Sequence, residues 1–386
     1  MRTRFGEALK ALREDAGLSL HALAHRVTWS KAAIGHAETG ERPVSAQLAR
    51  ALDSELGANG LLIALAAAER DQRRTVDDVR RRTLLKGIAA SSAALANRPQ
   101  PSGRINAADV SPLIERTAQL RKLDDALGGA DTFGLYLAEV DHTQAILSAT
   151  THNSMTYRAL LAVLSEQTQL AGWAAFDAGW LDRSESLYRT SRNAAVEADD
   201  PGLFANALAL DAYQRAFNGQ PDPALAEASC AALSDRVPAG VRALVYDRAA
   251  WTYAVADMTA DAESALGQAA NALTESGGPP TPDWAAWVDA MELDIMTGRC
   301  WSALRRPLRA VAPLERALAD FPDAYARDKA LYSLALAEAY LHAREHDLAA
   351  QTIDTAHRLT RGVASTRPAT QLKRTLALSA AYGAPA

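Results

Sequence analysis

Residues 17–43 read GLSLHALAHRVTWSKAAIGHAETGERP, and this stretch decides the fold of the N-terminal part of the chain. Leu20, Leu23, Ala24 and Val27 recur at helical spacing, so Ser19 to Val27 forms a short amphipathic helix. Thr28-Trp29 breaks it. Ser30 is a good N-cap for a second helix over Lys31 to Thr39, because its hydroxyl can accept from an otherwise unpaired N–H of the first turn. Gly40 ends that helix and Pro43 keeps it from resuming. Leu9 and Leu12 upstream, and Leu48, Ala51, Leu52 and Leu56 downstream, supply flanking amphipathic helices.

Two short helices around a tight break, with this cap and this glycine exit, resemble the phage-repressor-like helix-turn-helix domain of the XRE family over residues 3–57. The resemblance implies that the helix beginning after Ser30 enters the DNA major groove. By position its DNA-facing residues are then Ser30, Lys31, Ala32, Ala33, Gly35 and His36, with Arg42 placed for the phosphate backbone. Lys31 can donate to guanine O6/N7 or to a phosphate, and His36 to a phosphate or a base acceptor, whereas the alanines meet only a thymine methyl group. Leu20 stands where the family usually has a polar residue. Gly35 costs about 1 kcal/mol in mid-helix relative to Ala, which fits a close approach to DNA. With few polar groups aimed at bases, phosphate contacts should dominate affinity. The plain alternative is a small helical domain that has lost DNA binding.

Charge is distributed in keeping with that reading. Residues 1–98 hold 16 Lys+Arg against 11 Asp+Glu, while the remainder holds 25 against 35. A basic head on an acidic body suits a DNA-binding protein whose body is repelled by DNA. Hydrophobic residues at 48% with 23% charged residues describe a soluble globular chain, expected in the cytoplasm. Ala and Leu abound and alternating β-branched patterns are scarce, so the expected fold class is all-α. Cys230 and Cys300 are far apart in helical patterns and read as reduced thiols. No apolar run reaches the length of about 18 residues that spans a bilayer. No membrane partner is expected.

Arg80-Arg81-Arg82-Thr83-Leu84-Leu85-Lys86 and the small apolar run up to Ala96 resemble a twin-arginine export signal. Its position behind a complete DNA-binding domain argues instead for a basic linker helix. Asn97 to Gly103 reads as flexible linker. The expected order is therefore a helix-turn-helix domain at 1–68, a basic and flexible linker at 69–109, capping helices at 110–164 and a helical repeat domain at 165–386.

Self-similar units begin near Ser165, Ala205, Ala243, Trp284 and Ala330, spaced by 40, 38, 41 and 46 residues. In the last, Leu336, Ala337, Tyr340, Ala349 and Ala356 sit where the tetratricopeptide pattern wants its small and aromatic residues. The third unit has Tyr253, Ala262 and Ala269 in the same places; the first offers Gly172, Gly179 and Tyr188, and the fourth Gly298 and Ala303. Small residues let the two helices of a unit approach, and the aromatic fills the space against the next unit. An array of this kind presents the first helix of each pair on a concave face. Candidate ligand-binding residues on it are Glu166, Gln169 and Trp173; Asn206 and Tyr213; Asp247 and Trp251; and Glu292 and Glu338. Apolar positions such as Phe176, Leu244, Ile295 and Leu331 fall between them. These positions carry carboxylates and aromatics and no cation, so the expected ligand bears a basic or amino group and an amide-rich backbone.

A helix-turn-helix head on a tetratricopeptide-like body is similar to actinobacterial XRE-type regulators and, at a distance, to the RRNPP peptide-pheromone receptors. That resemblance implies a peptide or small-molecule effector that alters dimer geometry and hence DNA affinity. The pairs His21/His25 and His342/His346 have a chelating spacing but lack a third ligand. There is no phosphate loop, no G-x-S-x-G and no H-E-x-x-H, so no cofactor and no enzymatic activity are expected. The functional expectation is a transcription regulator, homodimeric on palindromic double-stranded DNA. Two rivals stay open: a protein-interaction adaptor tethered to DNA by its head, and an exported repeat protein starting near residue 79.

Overall fold

The computed structural model describes residues 4–27, 29–39, 44, 46–58, 60–66, 103–275, 277–323, 325–360 and 363–383. The chain divides into two compact units, Met1–Ile88 and Ala89–Ala386. The twin-arginine-like segment and most of the linker lie outside the described residues, as do Gly40, Arg42 and Pro43.

The first unit contains α1 (Arg4–Asp15), α2 (Leu20–Arg26), α3 (Lys31–Thr39) and α4 (Ala46–Glu55), with residues 61–66 helical as α5. Phe5, Leu9, Leu23, Ile34, Leu52 and Leu62 are fully buried and meet in one core. At about 1.5–3 kcal/mol for each large side chain, that core is the main source of the head's stability. Polar ties fix the helix ends. Arg13 donates from Nε and Nη2 to Glu38 at 2.5 and 3.2 Å and from Nη1 to the Leu18 carbonyl at 2.8 Å, joining α1, its exit turn and the end of α3. Asp53 accepts from the N–H groups of Gly60 (2.8 Å) and Leu62 (2.9 Å), capping α5. Gly6 is required where α1 crosses α3, since a Cβ there would lie 2.3 Å from the Glu38 carbonyl oxygen.

The described residues of the second unit form helices joined by turns and loops, with one isolated bridge between Arg104 and Thr151 and no strand among them. Two leading helices, α6 (Ala107–Leu127) and α7 (Gly129–Ala149), pack on α8 (Ser154–Asp177). Helical hairpins follow: α8 with α9 (Leu181–Ala198), α10 (Pro201–Phe217) with α11 (Pro223–Ala231), and α12 (Ala239–Val255) with α13 (Thr259–Thr274). The last two are α14 (Ala290–Ala303) with α15 (Pro307–Asp320), and α16 (Ala326–Ala343) with α17 (His346–Thr360). A final helix, α18 (Arg367–Ala381), packs on α16 and α17.

The repeat is visible in the turns. Each hairpin passes through one residue of positive φ: Gly179 (85°), Gly219 (76°), Asp257 (62°), Arg305 (56°) and Arg344 (65°). The residue after each donates its N–H five residues back, as Trp180 does to Ala175, Gln220 to Arg215, Met258 to Tyr253, Arg306 to Trp301 and Glu345 to Tyr340, all within 2.8–2.9 Å. This is one helix-ending motif used in all of them. Seven residues before each turn residue stands a buried small one, Gly172, Ala212, Ala250, Gly298 or Ala337. Across from these, Ser184, Ala226, Ala262, Ala310 and Ala349 on the second helices are 0% exposed. Small faces small, which lets the two axes approach.

These turns correct the register expected for the fourth unit. Four of the unit starts read from sequence lie 14 residues before their turns, but Trp284 lies 21 before Arg305. The fourth unit begins at Met291, and residues 277–289 are an insertion without helix. A seven-residue offset is about two helical turns, so the face assigned to Glu292 and Ile295 was preserved.

The first helices of successive hairpins converge on one core. Phe176, Tyr213, Ala250, Ile295 and Leu331 come from α8, α10, α12, α14 and α16 and belong to a single buried cluster. The segment before α18 then returns to the start of the array. Thr366 donates its N–H to the Asp177 carbonyl (2.9 Å), while Ser365 and Arg367 donate to the Asp177 carboxylate, each at 2.7 Å. The coil is closed on itself at Asp177.

Candidate functional site

In the head, the site is the outer face of α3. Ser30 Oγ accepts from the Ala33 N–H at 3.1 Å, as the sequence predicts, and Ser19, read there as the first helical residue, caps α2 in the same way through the Ala22 N–H. Ile34 (0% exposed) and Ala37 (2%) face the core. Helical geometry therefore turns Lys31, Gly35 and Thr39 away from it: Lys31 and Thr39 are exposed, and a Cβ added at Gly35 would meet nothing within 4 Å. Ser30 is exposed, and Ala33 and His36 are half-buried. Ala32 lies in the helix, but its side chain, like all of Arg42, is outside the described residues. Trp29 stands 37% exposed before α3.

In the body, the site is a cavity of about 600 Å³ bounded by the first helices of the hairpins. Of the candidates read from the sequence, Glu166, Gln169, Trp173, Asn206, Tyr213 and Glu292 line it. Gln169 donates to the Leu203 carbonyl (2.9 Å) and accepts from the Asn206 amide (2.6 Å), so this amide pair is preorganised by the neighbouring helix. Trp173 and Tyr213 lie 5.7 Å apart, ring to ring.

Three candidates do not line it. Asp247 is 0% exposed, beneath the wall, because Leu244 and Arg248, one turn apart, occupy the inward face of α12. Burial pushes its carboxyl up to about 8, with Glu292 adding to the effect and Arg248 and Arg299 opposing it. Trp251 is packed under the Arg299 guanidinium, 4.3 Å from its ring. Glu338 accepts from Gln371 (2.6 Å) and Thr375 (2.7 Å), so α18 covers it.

The expectation of a face without cations is overturned. Arg121, Lys122, Arg248, Arg327 and Arg367 all line the cavity, as do Trp284, Trp287 and Tyr332. Arg121 pairs with Glu166 and with Asp283 (2.8 Å) at one end. Burial nevertheless pushes the Glu166 carboxyl up to about 7 against the pull of Arg121. Arg367 and Arg327 hold Asp177 at 2.7 and 3.7 Å. Burial works against ionising Asp177, but these two guanidinium groups and the Gly129 N–H outweigh it and keep the carboxyl below its ordinary range. Arg248 lies 3.3 Å from Glu292, and Tyr332 donates weakly to Glu292 at 3.4 Å. No sequence periodicity marked these lining residues: Trp284 and Trp287 sit on the insertion, and Arg327 and Arg367 arrive at helix starts through the closure of the coil.

The remaining candidates for chemistry are occupied by packing. His342 Nδ1 lies 2.9 Å from the Tyr382 hydroxyl. Burial pushes the Cys230 thiol up to about 11 and raises that of Cys300 further, so neither is a thiolate near neutral pH.

A family model described as a helix-turn-helix domain matches residues 4–66, the span of α1 to α5. No curated protein and no solved structure matches the chain. The head is thus a helix-turn-helix domain, which supports a DNA-binding regulator, and the body is a helical repeat-like region. Among the described residues, no helix is long and apolar enough to cross a membrane.

Proposed function

We propose that the chain is a cytoplasmic transcription regulator that binds a palindromic operator as a homodimer and senses an effector in its body. The body is tetratricopeptide-like in this reading, and it binds a peptide or small molecule without transforming it. α3 carries the base-facing contacts, led by Lys31 and seated by the Ser30 cap, and Arg42, beyond the helix in sequence, contacts the phosphate backbone. Two such helices bind half-sites about 34 Å apart, one turn of DNA. The observation that carries the effector half is the cavity of about 600 Å³, walled by aromatic rings interleaved with charged and amide side chains. Its size and lining are those of a small-ligand site. An adaptor would need a broad apolar face instead, so a concave cavity of this size favours effector binding over that rival.

The test is footprinting of the purified full-length protein on its host's genomic DNA at physiological salt. An inverted repeat bound with a steep salt dependence supports the reading. Binding without sequence preference removes the operator assignment. An operator affinity that no fraction of a host-cell extract changes removes the effector assignment.

A further inference from the structure

The helices around the cavity, α12, α14, α16 and α18, bury an unusual amount of positive charge on its wall and just behind it. Arg248, Arg299, Arg327 and Arg367 are 6%, 5%, 6% and 3% exposed. The carboxylates set against them are Asp177, Asp247 and Glu292, all buried, and Asp328, which holds Arg327 at 3.1 Å. Burial pushes the carboxyls of both Asp247 and Glu292 up, against the pull of Arg248 and Arg299, so this pair resists carrying its full negative charge. Guanidinium groups cannot shed their charge, so burying an excess of them is costly until an anion arrives.

Two of the four also have unfilled donors. Arg248 approaches Asp247 and Glu292 at 3.5 and 3.3 Å, longer than the 2.7–2.9 Å of a good charged hydrogen bond, and makes no hydrogen bond to a described residue. Arg367 donates from Nε to Asp177, but its Nη2 is buried without a partner. Both line the cavity and bracket its central rings: Arg248 sits 4.9 Å from the Tyr213 ring and Arg367 4.6 Å from the Trp173 ring. Tyr213 registers the resulting field. Burial would raise its phenol, yet Arg299, Arg248 and Arg367 together lower it. The acceptor Asn206 Oδ1, on the same wall, is also without a partner.

We infer that the cavity takes a small organic carboxylate, its charge received by Arg248 and Arg367 and its aromatic or apolar body laid against Trp173 and Tyr213. This rests on the effector reading and adds the ligand's class, the reverse of the basic ligand expected from the sequence. A free organic acid and the C-terminus of a short peptide share this chemistry.

The experiment compares three probes of one shape on the full wild-type chain: 3-phenylpropanoate, 3-phenylpropanamide and 3-phenylpropylamine. Each is supplied at about 10 mM, enough to fill a site of about 1 mM Kd, and melting is followed by fluorescence. The acid is expected to raise the melting temperature by about 2–4 °C, with the amide and amine giving no rise. The acid's effect should disappear in Arg248→Gln. N-acetyl-Ala-Phe, as free acid and as amide, separates the two sources: tenfold tighter binding of the dipeptide acid than of phenylpropanoate assigns a peptide terminus, and the reverse a free acid. A rise with amine or amide equal to that with acid overturns the inference and leaves the effector reading standing, as does no rise with any probe. A rise with acid alone and an unchanged operator affinity upholds the anion site and overturns the effector reading.

Discussion

Gly298→Ala tests the packing argument on which the repeat body rests. A Cβ at Gly298 would lie 2.3 Å from Leu314 Cγ and 2.9 Å from the Ala310 carbonyl oxygen, both on the facing helix α15. Neither can yield cheaply: Leu314 and Ala310 are 0% exposed, and the oxygen belongs to helical backbone. Alanine gains about 0.5–1 kcal/mol over glycine from helix propensity, while overpacking of this kind costs about 1–3 kcal/mol or more. A net loss of about 2 kcal/mol is expected, at the upper end of overpacking because backbone must move. Gly267→Ala is the control. Gly267 lies within α13 with ordinary φ, and its Cβ would meet nothing within 4 Å, so only the propensity gain of about 0.5–1 kcal/mol remains. Gly172→Ala should fall between them, because its Cβ meets the Tyr188 ring at 2.6 Å rather than backbone. Urea unfolding followed by tryptophan fluorescence reads the body, which holds six of the seven tryptophans. If Gly298→Ala is as stable as Gly267→Ala, the close approach of α14 and α15 is not what fixes glycine there.

Lys31→Ala should weaken operator binding and reduce its salt slope by about one phosphate contact, with the head's melting unchanged; unaltered affinity in a gel-shift titration would remove α3 as the recognition helix. Gly35→Ala should stabilise the head by about 0.5–1 kcal/mol, since its outer side is open, yet weaken operator binding if the glycine serves close approach to DNA; equal affinity would refute that role. Asp177→Asn should cost about 3–5 kcal/mol by leaving the buried Arg327 and Arg367 without their shared carboxylate, and a loss below about 1 kcal/mol would show that the closure is not electrostatic. For Asp247, the folded protein keeps a proton up to about pH 8 that the unfolded chain releases near pH 4. Its contribution therefore falls by about 1.4 kcal/mol per pH unit over that window and levels above it. Asp247→Asn should gain on wild type as pH rises from 6 to 8, and a pH-independent difference would show that Asp247 is ionised in the fold.

The sequence by itself determined what is local. Ser19 and Ser30 cap the helices they precede because capping depends on one side chain and the next turn of backbone. The hairpins were legible because small residues must recur wherever two helices touch: Ala262, Ala269, Ala337, Ala349 and Ala356 are all 0% exposed, whereas in the fourth unit the facing position falls to Ala310 and not to the half-buried Ala303. The lumen face was legible for α8 and α10, where register follows from turn and period. It failed for Asp247 and Trp251, since the twist of α12 chooses between adjacent positions by fractions of a turn. It failed also for Glu338, which α18 covers from the far end of the chain. Only the tertiary structure decided the charge of the cavity. Arg327 and Arg367 reach it because the coil closes on Asp177 across 190 residues of sequence, and Arg248 turns inward as Asp247 turns under. Periodicity reports which side of a helix is buried, but which opposite charges meet there depends on contacts between segments that no local pattern relates.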